Sequence, residues 1–406
     1  MSSYKPKIIN DPVFGFITIP NEFLYNLISH PYLQRLTRIK QMGLSFFVYP
    51  GAHHTRFLHS LGTMYLMQEA IYTLRKKGVE ITEEEANGVL ACILLHDVGH
   101  GPFSHALENT LVRGISHEEI SLMVMKKLNN ENNGEFDICI SIFKNEYHKK
   151  FLHQLVSGQL DVDRLDYLRR DSFFTGVVEG NIGSARIIKM LNVKNDKLVV
   201  ESKGIYSIEN FLTSRRLMYW QVYLHKTSVA GEKMLINTLK RAKELSANRD
   251  NIFASEALSY FLSNNPKKMH FEEEALSYFL QLDDNDIWCA LKMWIDDEDI
   301  VLSTLSRCII DRQLFKIEIS SRKKSTEEIS KYIHEYCSHY NITENEAAYF
   351  ISSDKVATNM YSESDDSIDI MYNDGRIADI SEASDMLNIE LLSKKVEKYY
   401  FSYLKI

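Results

Sequence analysis

The stretch "ITEEEANGVLACILLHDVGHG", residues 81–101, restricts the fold more than any other part of the chain. Thr82 and Glu85 stand at capping-box spacing and start a helix. Val89, Leu90, Ile93 and Leu94 mark that helix as buried. Gly99 and Gly101 then stop it. A helix inside a core therefore ends on His96 and Asp97. Two such groups are costly to bury unless they are paired or bound to a metal.

The rest of the sequence predicts a mainly α fold with short β-hairpins. In 406 residues there are 17 glycines and 7 prolines, and long apolar-periodic stretches dominate. With 45% hydrophobic and 25% charged residues, a large core is expected. Residues 8–20 read as a hairpin around an Asn-Asp-Pro turn. Residues 22–42 read as helical, interrupted at Pro31, and "FFVYPGAHHTRF" as extended and then turning. A helix from about Thr55 carries Leu58, Leu61 and Leu66 inward. Ser116 and Glu119 repeat the capping box ahead of another helix. "DVDRLDYLRRD" is helical, and "DKLVVESKGIYSI" reads as a hairpin. A long helix is expected from Ile208 to about Ser246, and mainly helix over 251–320. The tail alternates β-formers with turns before returning to helix. A boundary near Ser325 divides a core, 1–325, from a small α+β appendage, 326–406.

The totals also narrow the function. A net charge of -8 disfavours a dedicated nucleic-acid binder. Cys92, Cys139, Cys289, Cys308 and Cys337 are scattered with no CxxC spacing, which argues against a disulfide framework or a cysteine zinc site. "MSSYKPKIINDPVFGF" has no signal-peptide core, and no apolar run reaches the ~18 residues of a membrane span. A cytoplasmic protein is expected.

Adjacent His96 and Asp97 lie about 100° apart on a regular helix, yet both can reach one ion where the helix ends. Imidazole with carboxylate suits a divalent transition metal, but two ligands are too few. His59 is one candidate, with Arg56 an i,i+3 neighbour on its face. Asp163 is another, on a face shared with Asp166, Tyr167 and Arg170. The competing reading is a buried hydrogen-bonded network, with Arg56 a structural partner of Asp163.

"INDPVFGFI", "QRLTRIKQMG", "YPGAHHTRFLHSLG", "LLHDVGHGPFSH", "SHEEIS" and "DVDRLDYLRRD" occur in this order. Together they resemble the HD-domain phosphohydrolase superfamily, and within it the dNTP triphosphohydrolase branch, here without a preceding SAM domain. The resemblance covers roughly three quarters of the chain. It implies an HD region at about 50–175 and a nucleotide-pocket helix at about 208–246. It implies His59, His96, Asp97 and Asp163 as ligands of a divalent ion (Mn, Mg, Fe, Ni or Zn). Arg56, Arg164 and Lys226 would meet the phosphates. His105 would act as general acid, with His100 and His117 lining the site and Glu118 supporting them. Gln41 and Tyr167 would contact the sugar, and Asp171 its 3'-hydroxyl end. Arg215 and Tyr223 would close the pocket, with Tyr219 where the family often has histidine. A homo-dimer or tetramer is also implied. Ser29 and Thr37 stand where vertebrate-type members carry an aspartate and an arginine that read guanine at an allosteric site. Gln34, Lys7 and Asn10 persist.

The residues themselves reach a metal-dependent phosphohydrolase, in which a metal acidifies water and cations neutralise developing charge. Attack at the α-phosphorus, giving deoxynucleoside and triphosphate, comes from the resemblance. Other readings stay open: a phosphatase or phosphodiesterase on another nucleotide, or a nucleotide-sensing or nucleic-acid-binding protein without turnover. The competing structural readings are loop caps for His105 and His117, a solvated face for Arg215 and Lys226, and core or interface for Tyr219 and Tyr223.

Overall fold

The computed structural model describes residues 4–108, 110–112, 114–249, 252–264, 266, 271–358, 367–385 and 396–406. Three helices meet at the centre: Arg56–Lys76, Glu83–Leu95 and Val162–Thr175. The first packs against both others. Their ends are set by local chemistry. The Thr55 hydroxyl accepts from Leu58 N, and both halves of the capping box form at Thr82–Glu85 and at Ser116–Glu119. The Asp161 carboxylate caps the third helix, and Gly176, with φ +74°, closes it in the left-handed conformation. Val89, Leu90, Ile93, Leu94 and Leu95 are all buried. Each contributes roughly 1.5–3 kcal/mol of burial. The helix that ends at His96 is thus fixed by packing.

β1 (Lys7–Asp11) and β2 (Gly15–Ile19) form the expected N-terminal hairpin, with Ile17 and Ile19 turned into the core. Over 22–42 the chain is more broken than its periodicity suggests. A helix Glu22–Ser29 is followed by a turn of helix at Pro31–Gln34, capped by the His30 side chain, and a 3-10 turn at Arg35–Arg38. The stretch expected to be extended near Phe46 is instead a 3-10 turn, Gly43–Phe47.

The second hairpin begins earlier than expected. β3 (Leu191–Lys194) pairs with β4 (Lys197–Glu201) through Asn195 and Asp196, both at positive φ as a tight hairpin turn requires. "GIYSI" is not a strand, because Ile205 already begins a helix.

The long helix expected over 208–246 is divided. Helix Ile205–Met218 passes into a π turn, Tyr219–Tyr223, and helix Lys226–Ser246 restarts after His225, whose ring accepts from Thr227 N. The Leu224 N–H donates to Tyr219 O, five residues back, which widens the turn. Arg215, Tyr219 and Tyr223 therefore do not follow one straight helical face.

β5 (Lys316–Ser320) is a strand inside the segment expected to be helical. It pairs with β9 (Val396–Tyr403), which also pairs with β6 (Ile351–Thr358). β7 (Asp369–Met371) runs parallel to β4 and pairs with β8 (Ile377–Asp379). Both sheets therefore span the boundary placed near Ser325. The tail's expected return to helix after Leu387 falls partly on residues outside the described ones, and where these resume the chain is the strand β9, held by pairing with β5 and β6, rather than helix. No helix among the described residues is long and apolar enough to cross a membrane.

Candidate metal and substrate site

The three central helices bring four sequence-predicted side chains together. His59 comes from the start of Arg56–Lys76, His96 and Asp97 from the end of Glu83–Leu95, and Asp163 from the start of Val162–Thr175. His59 Nε2 lies 3.1 Å from Asp163 Oδ1 and 3.7 Å from Asp97 Oδ2. His96 Nε2 lies 3.4 Å from Asp97 Oδ1 and 3.5 Å from Asp163 Oδ1. Potential ligand atoms of His59, His96 and Asp163 all fall within 4.8 Å of one another; those of Asp97, His100 and His117 form a second such group. Asp97 stands between the two, 3.3 Å from His100 Nε2.

The opposite ring nitrogens are committed elsewhere. His59 Nδ1 donates to Asp166 Oδ2 at 2.7 Å, and His96 Nδ1 to Ile93 O at 2.6 Å. Both Nε2 atoms are buried with no hydrogen-bond partner among the described residues. Orphaned buried nitrogens beside carboxylates are what a divalent metal requires, and a carboxylate behind the imidazole is the usual support. The donor set fits such an ion.

Asp166 is held in turn by Arg170, whose Nε and Nη2 each donate at 2.9 Å, while Arg170 Nη1 donates to Asp11 Oδ2 at 2.7 Å. These side chains are fully buried, with the one guanidinium shared between the two carboxylates. Gly62 makes room for them. A Cβ there would meet Asp166 Oδ1 at 2.0 Å and Arg170 Nη2 at 2.1 Å.

Electrostatics divides the histidines. Burial pulls His59 down, but the adjacent Asp163 and Asp166 carboxylates outweigh this and lift it to about 10. His96 is likewise raised, with Asp97 and Asp163 overcoming burial. Burial would raise Asp97 and Asp163, yet the neighbouring cations hold both below the usual carboxylate range. His100 is pushed down to about 3 by burial and by Arg56. His117 is raised, since Glu108 and Asp97 exceed its burial cost. His100 and His117 stack at 3.9 Å, so one neutral and one readily protonated imidazole lie face to face.

The loop after the His-Asp pair is held from outside. Fully buried Arg35 donates to Val98 O, His100 O and Leu282 O and lies over the Phe279 ring. Ser121 Oγ donates to His96 O and accepts from Gly99 N. Only glycine fits at 99, because a Cβ would meet His117 O at 2.0 Å. Ser104 Oγ lies 2.8 Å from His100 Nδ1. The carboxylate that touches His117 is Glu108, at 3.1 Å; Glu118 is exposed and acts on His117 through its charge alone. His105 lies on the helix Ser104–Glu108, and its side chain is outside the described residues.

A cavity of about 510 Å³ adjoins the cluster. Arg56 connects the two: it lines the cavity and donates to Asp97 Oδ2 at 2.7 Å. Gln41, Tyr167, Asp171, Tyr219 and Tyr223 also line it. Asp171 is fixed through both oxygens, by His54 Nε2 at 2.7 Å and by the Tyr223 hydroxyl at 2.8 Å. Burial lifts the Tyr167 phenol to about 12. Three of the predicted substrate contacts are not among the residues lining the cavity. Arg164 pairs with its own helix cap Asp161, Arg215 donates to Gln159 at 3.0 Å, and Lys226 is exposed at the start of its helix.

Sequence reasoning passed over several contributors. Asp166 and Arg170 were placed on the Asp163 face without a role. His54 had a signal in the doubled histidine of "AHHTRF", and Arg35 in standing between apolar Leu33 and Leu36. Lys40, Ser228, Glu232 and Lys233 also line the cavity. Nothing in their local sequence marks them.

A helical core that gathers imidazoles and carboxylates beside a nucleotide-sized cavity defines the class: a metal-dependent phosphohydrolase. Within it, the chain belongs to the HD-domain phosphohydrolase superfamily. Residues 56–171 match the HD domain, and residues 182–260 the HD associated region. The chain is 33% identical over 317 residues to the uncharacterized protein YwfO of Bacillus subtilis, covering 76% of this chain and 71% of that protein. It is 30% identical over 282 residues to the human deoxynucleoside triphosphate triphosphohydrolase, a match covering 59% of this chain and only 45% of that relative. A solved phosphohydrolase from Bacteroides thetaiotaomicron is 62% identical, superposes with a TM-score of 0.96, and is covered over 99% of this chain and 100% of its own.

Proposed function

We propose that the protein hydrolyses deoxynucleoside triphosphates to deoxynucleoside and triphosphate. One observation carries this reading: Arg56 belongs both to the His-Asp cluster and to a cavity of about 510 Å³, so a bound nucleotide can place its phosphates against the cluster. The volume falls in the range of ligand sites, roughly 300–1,000 Å³. The human and Dictyostelium relatives bear names for this reaction, although the chain spans only about half their length.

In this reading His59, His96, Asp97 and Asp163 hold the metal. A bound divalent ion, whether Mn, Mg, Fe, Ni or Zn, supplies Lewis acidity toward water and phosphoryl oxygens. Arg56 neutralises charge on the phosphates, with Arg164 and Lys226 reaching the outer ones when substrate is bound. Water adds to the α-phosphorus and the bond to the 5'-oxygen breaks. That oxygen takes its proton from a histidine: His105 is the acid, with His100 and His117 lining the site and Glu118 supporting them. Gln41 and Tyr167 orient the sugar, Asp171 accepts from its 3'-hydroxyl, and Arg215, Tyr219 and Tyr223 close the pocket. The enzyme works as a cytoplasmic homo-oligomer, dimer or tetramer.

Incubation with each dNTP and Mn²⁺ or Mg²⁺, followed by chromatography of the products, tests the proposal. Deoxynucleoside and tripolyphosphate are expected. Orthophosphate or pyrophosphate would transfer the protein to another phosphohydrolase class. Binding without turnover across several metals would make it a sensor.

A further inference from the structure

The cavity has a wall that the catalytic reading does not use. Helix Lys226–Ser246 presents Ser228, Glu232 and Leu235 to it at i, i+4 and i+7, with Val229 and Lys233 alongside. Ser228 is 7% exposed, and its hydroxyl has no hydrogen-bond partner among the described residues. Glu232 is half-buried and makes no hydrogen bond or ion pair among the described residues. The lysines nearby are already engaged: Lys233 with Asp354 at 3.3 Å, and Lys40 with Asp284 at 3.8 Å. A carboxylate and a buried hydroxyl thus face the cavity without partners, between apolar Leu44, Val229 and Leu235. Polar groups set in an apolar wall are what give a ligand pocket its specificity.

We propose that this wall is the base-reading end of the pocket and that Glu232 selects guanine. The inference rests on the nucleotide reading of the cavity. An ionised carboxylate only accepts hydrogen bonds, and it takes two side by side. On the Watson–Crick edges, guanine alone offers two adjacent donors, N1–H and the 2-amino group. Adenine and cytosine place a lone pair next to their amino group, which the carboxylate repels. Thymine has a single N–H between two carbonyls. The Ser228 hydroxyl, which can donate, suits the guanine 6-oxygen. A base that leaves Glu232 unpaired bears the cost of burying it.

The test uses the metal-loaded, full-length protein. Rates of hydrolysis are compared for dGTP, dITP, dATP, dCTP and dTTP, and calorimetry compares binding of deoxyguanosine, deoxyinosine and deoxyadenosine. Deletion of the 2-amino group removes a hydrogen bond to a charged acceptor, so dITP and deoxyinosine should lose roughly tenfold or more. Glu232→Gln should abolish most of the preference for guanine over adenine. The inosine arm needs no variant, so it stands even if Glu232→Gln folds poorly. Equal binding of deoxyguanosine and deoxyadenosine by the native protein, or a preference retained in Glu232→Gln, would overturn the role of Glu232. If all dNTPs are hydrolysed alike, the reaction stands and the base reader falls. If none is hydrolysed yet deoxyguanosine binds preferentially, the reaction falls and the base reader stands.

Discussion

Asp166 Oδ2 lies 2.7 Å from His59 Nδ1, and this contact decides which ring nitrogen faces the metal cluster. Arg170, itself held by Asp11, and His59 keep the carboxylate ionised at zero exposure. Removing its charge in Asp166→Asn frees the ring and weakens it as a ligand. Metal affinity should fall about 10–100-fold, the usual effect of losing such a support. Chelator competition measures it; native affinity in the variant would show that His59 is not a ligand held this way.

Gly62 lies against the same pair. Gly62→Ala forces a methyl to within about 2 Å of Asp166 and Arg170, and neither can move without leaving a buried charge unpaired. A loss of about 3 kcal/mol is expected, at the upper end for overpacking. A lower urea midpoint at constant m-value would record it. A midpoint like that of the native protein would mean that the pair relaxes freely.

Arg56→Ala removes the guanidinium shared by Asp97 and the cavity. If Arg56 acts on the phosphates, kcat/KM for the triphosphate falls about 10²–10³-fold, as for loss of one preorganised donor. Deoxynucleoside binding should change little. Turnover equal to the native rate would make Arg56 purely structural.

Asp284 gives a pH dependence away from the cluster. Burial raises its carboxyl from 3.8 to about 6 against the opposing pull of Lys40. Between about pH 4 and 6 the folded state therefore keeps a proton that the unfolded chain has lost. Stability falls as pH rises through that window and levels off above it, by roughly 3 kcal/mol in all. Asp284→Asn keeps an oxygen for the Lys40 N–H, bonded at 3.0 Å, without the buried charge. The variant should melt higher than the native protein at pH 7 and show no such slope. A lower melting temperature at pH 7 would mean that the Lys40 ion pair outweighs burial.

Much of the core was legible. The capping boxes at Thr82 and Ser116, the cap ahead of Arg56, and the buried helix that ends at His96 follow from contacts three or four residues apart. His59 and Asp163 were candidates by residue type and their convergence on His96 and Asp97 was implied by the family resemblance; the four side chains lie close together. Segments were misjudged where periodicity carried no marker. The π turn at Tyr219–Tyr223 has the apolar pattern of an ordinary helix, and the β3–β4 turn depends on Asn195 and Asp196 accepting positive φ.

The sequence by itself determined the helix starts at the Thr82 and Ser116 capping boxes, and that a buried helix must terminate on an imidazole and a carboxylate. Caps, glycine stops and apolar stripes act over a single turn, so their energies are written locally. Only the tertiary structure decided that Glu108 rather than Glu118 touches His117, that Asp166 orients His59, and that Glu232 and Lys233 share a cavity with Arg56. Those pairings depend on how helices far apart in the chain pack, and side-chain reach across such an interface leaves no local pattern.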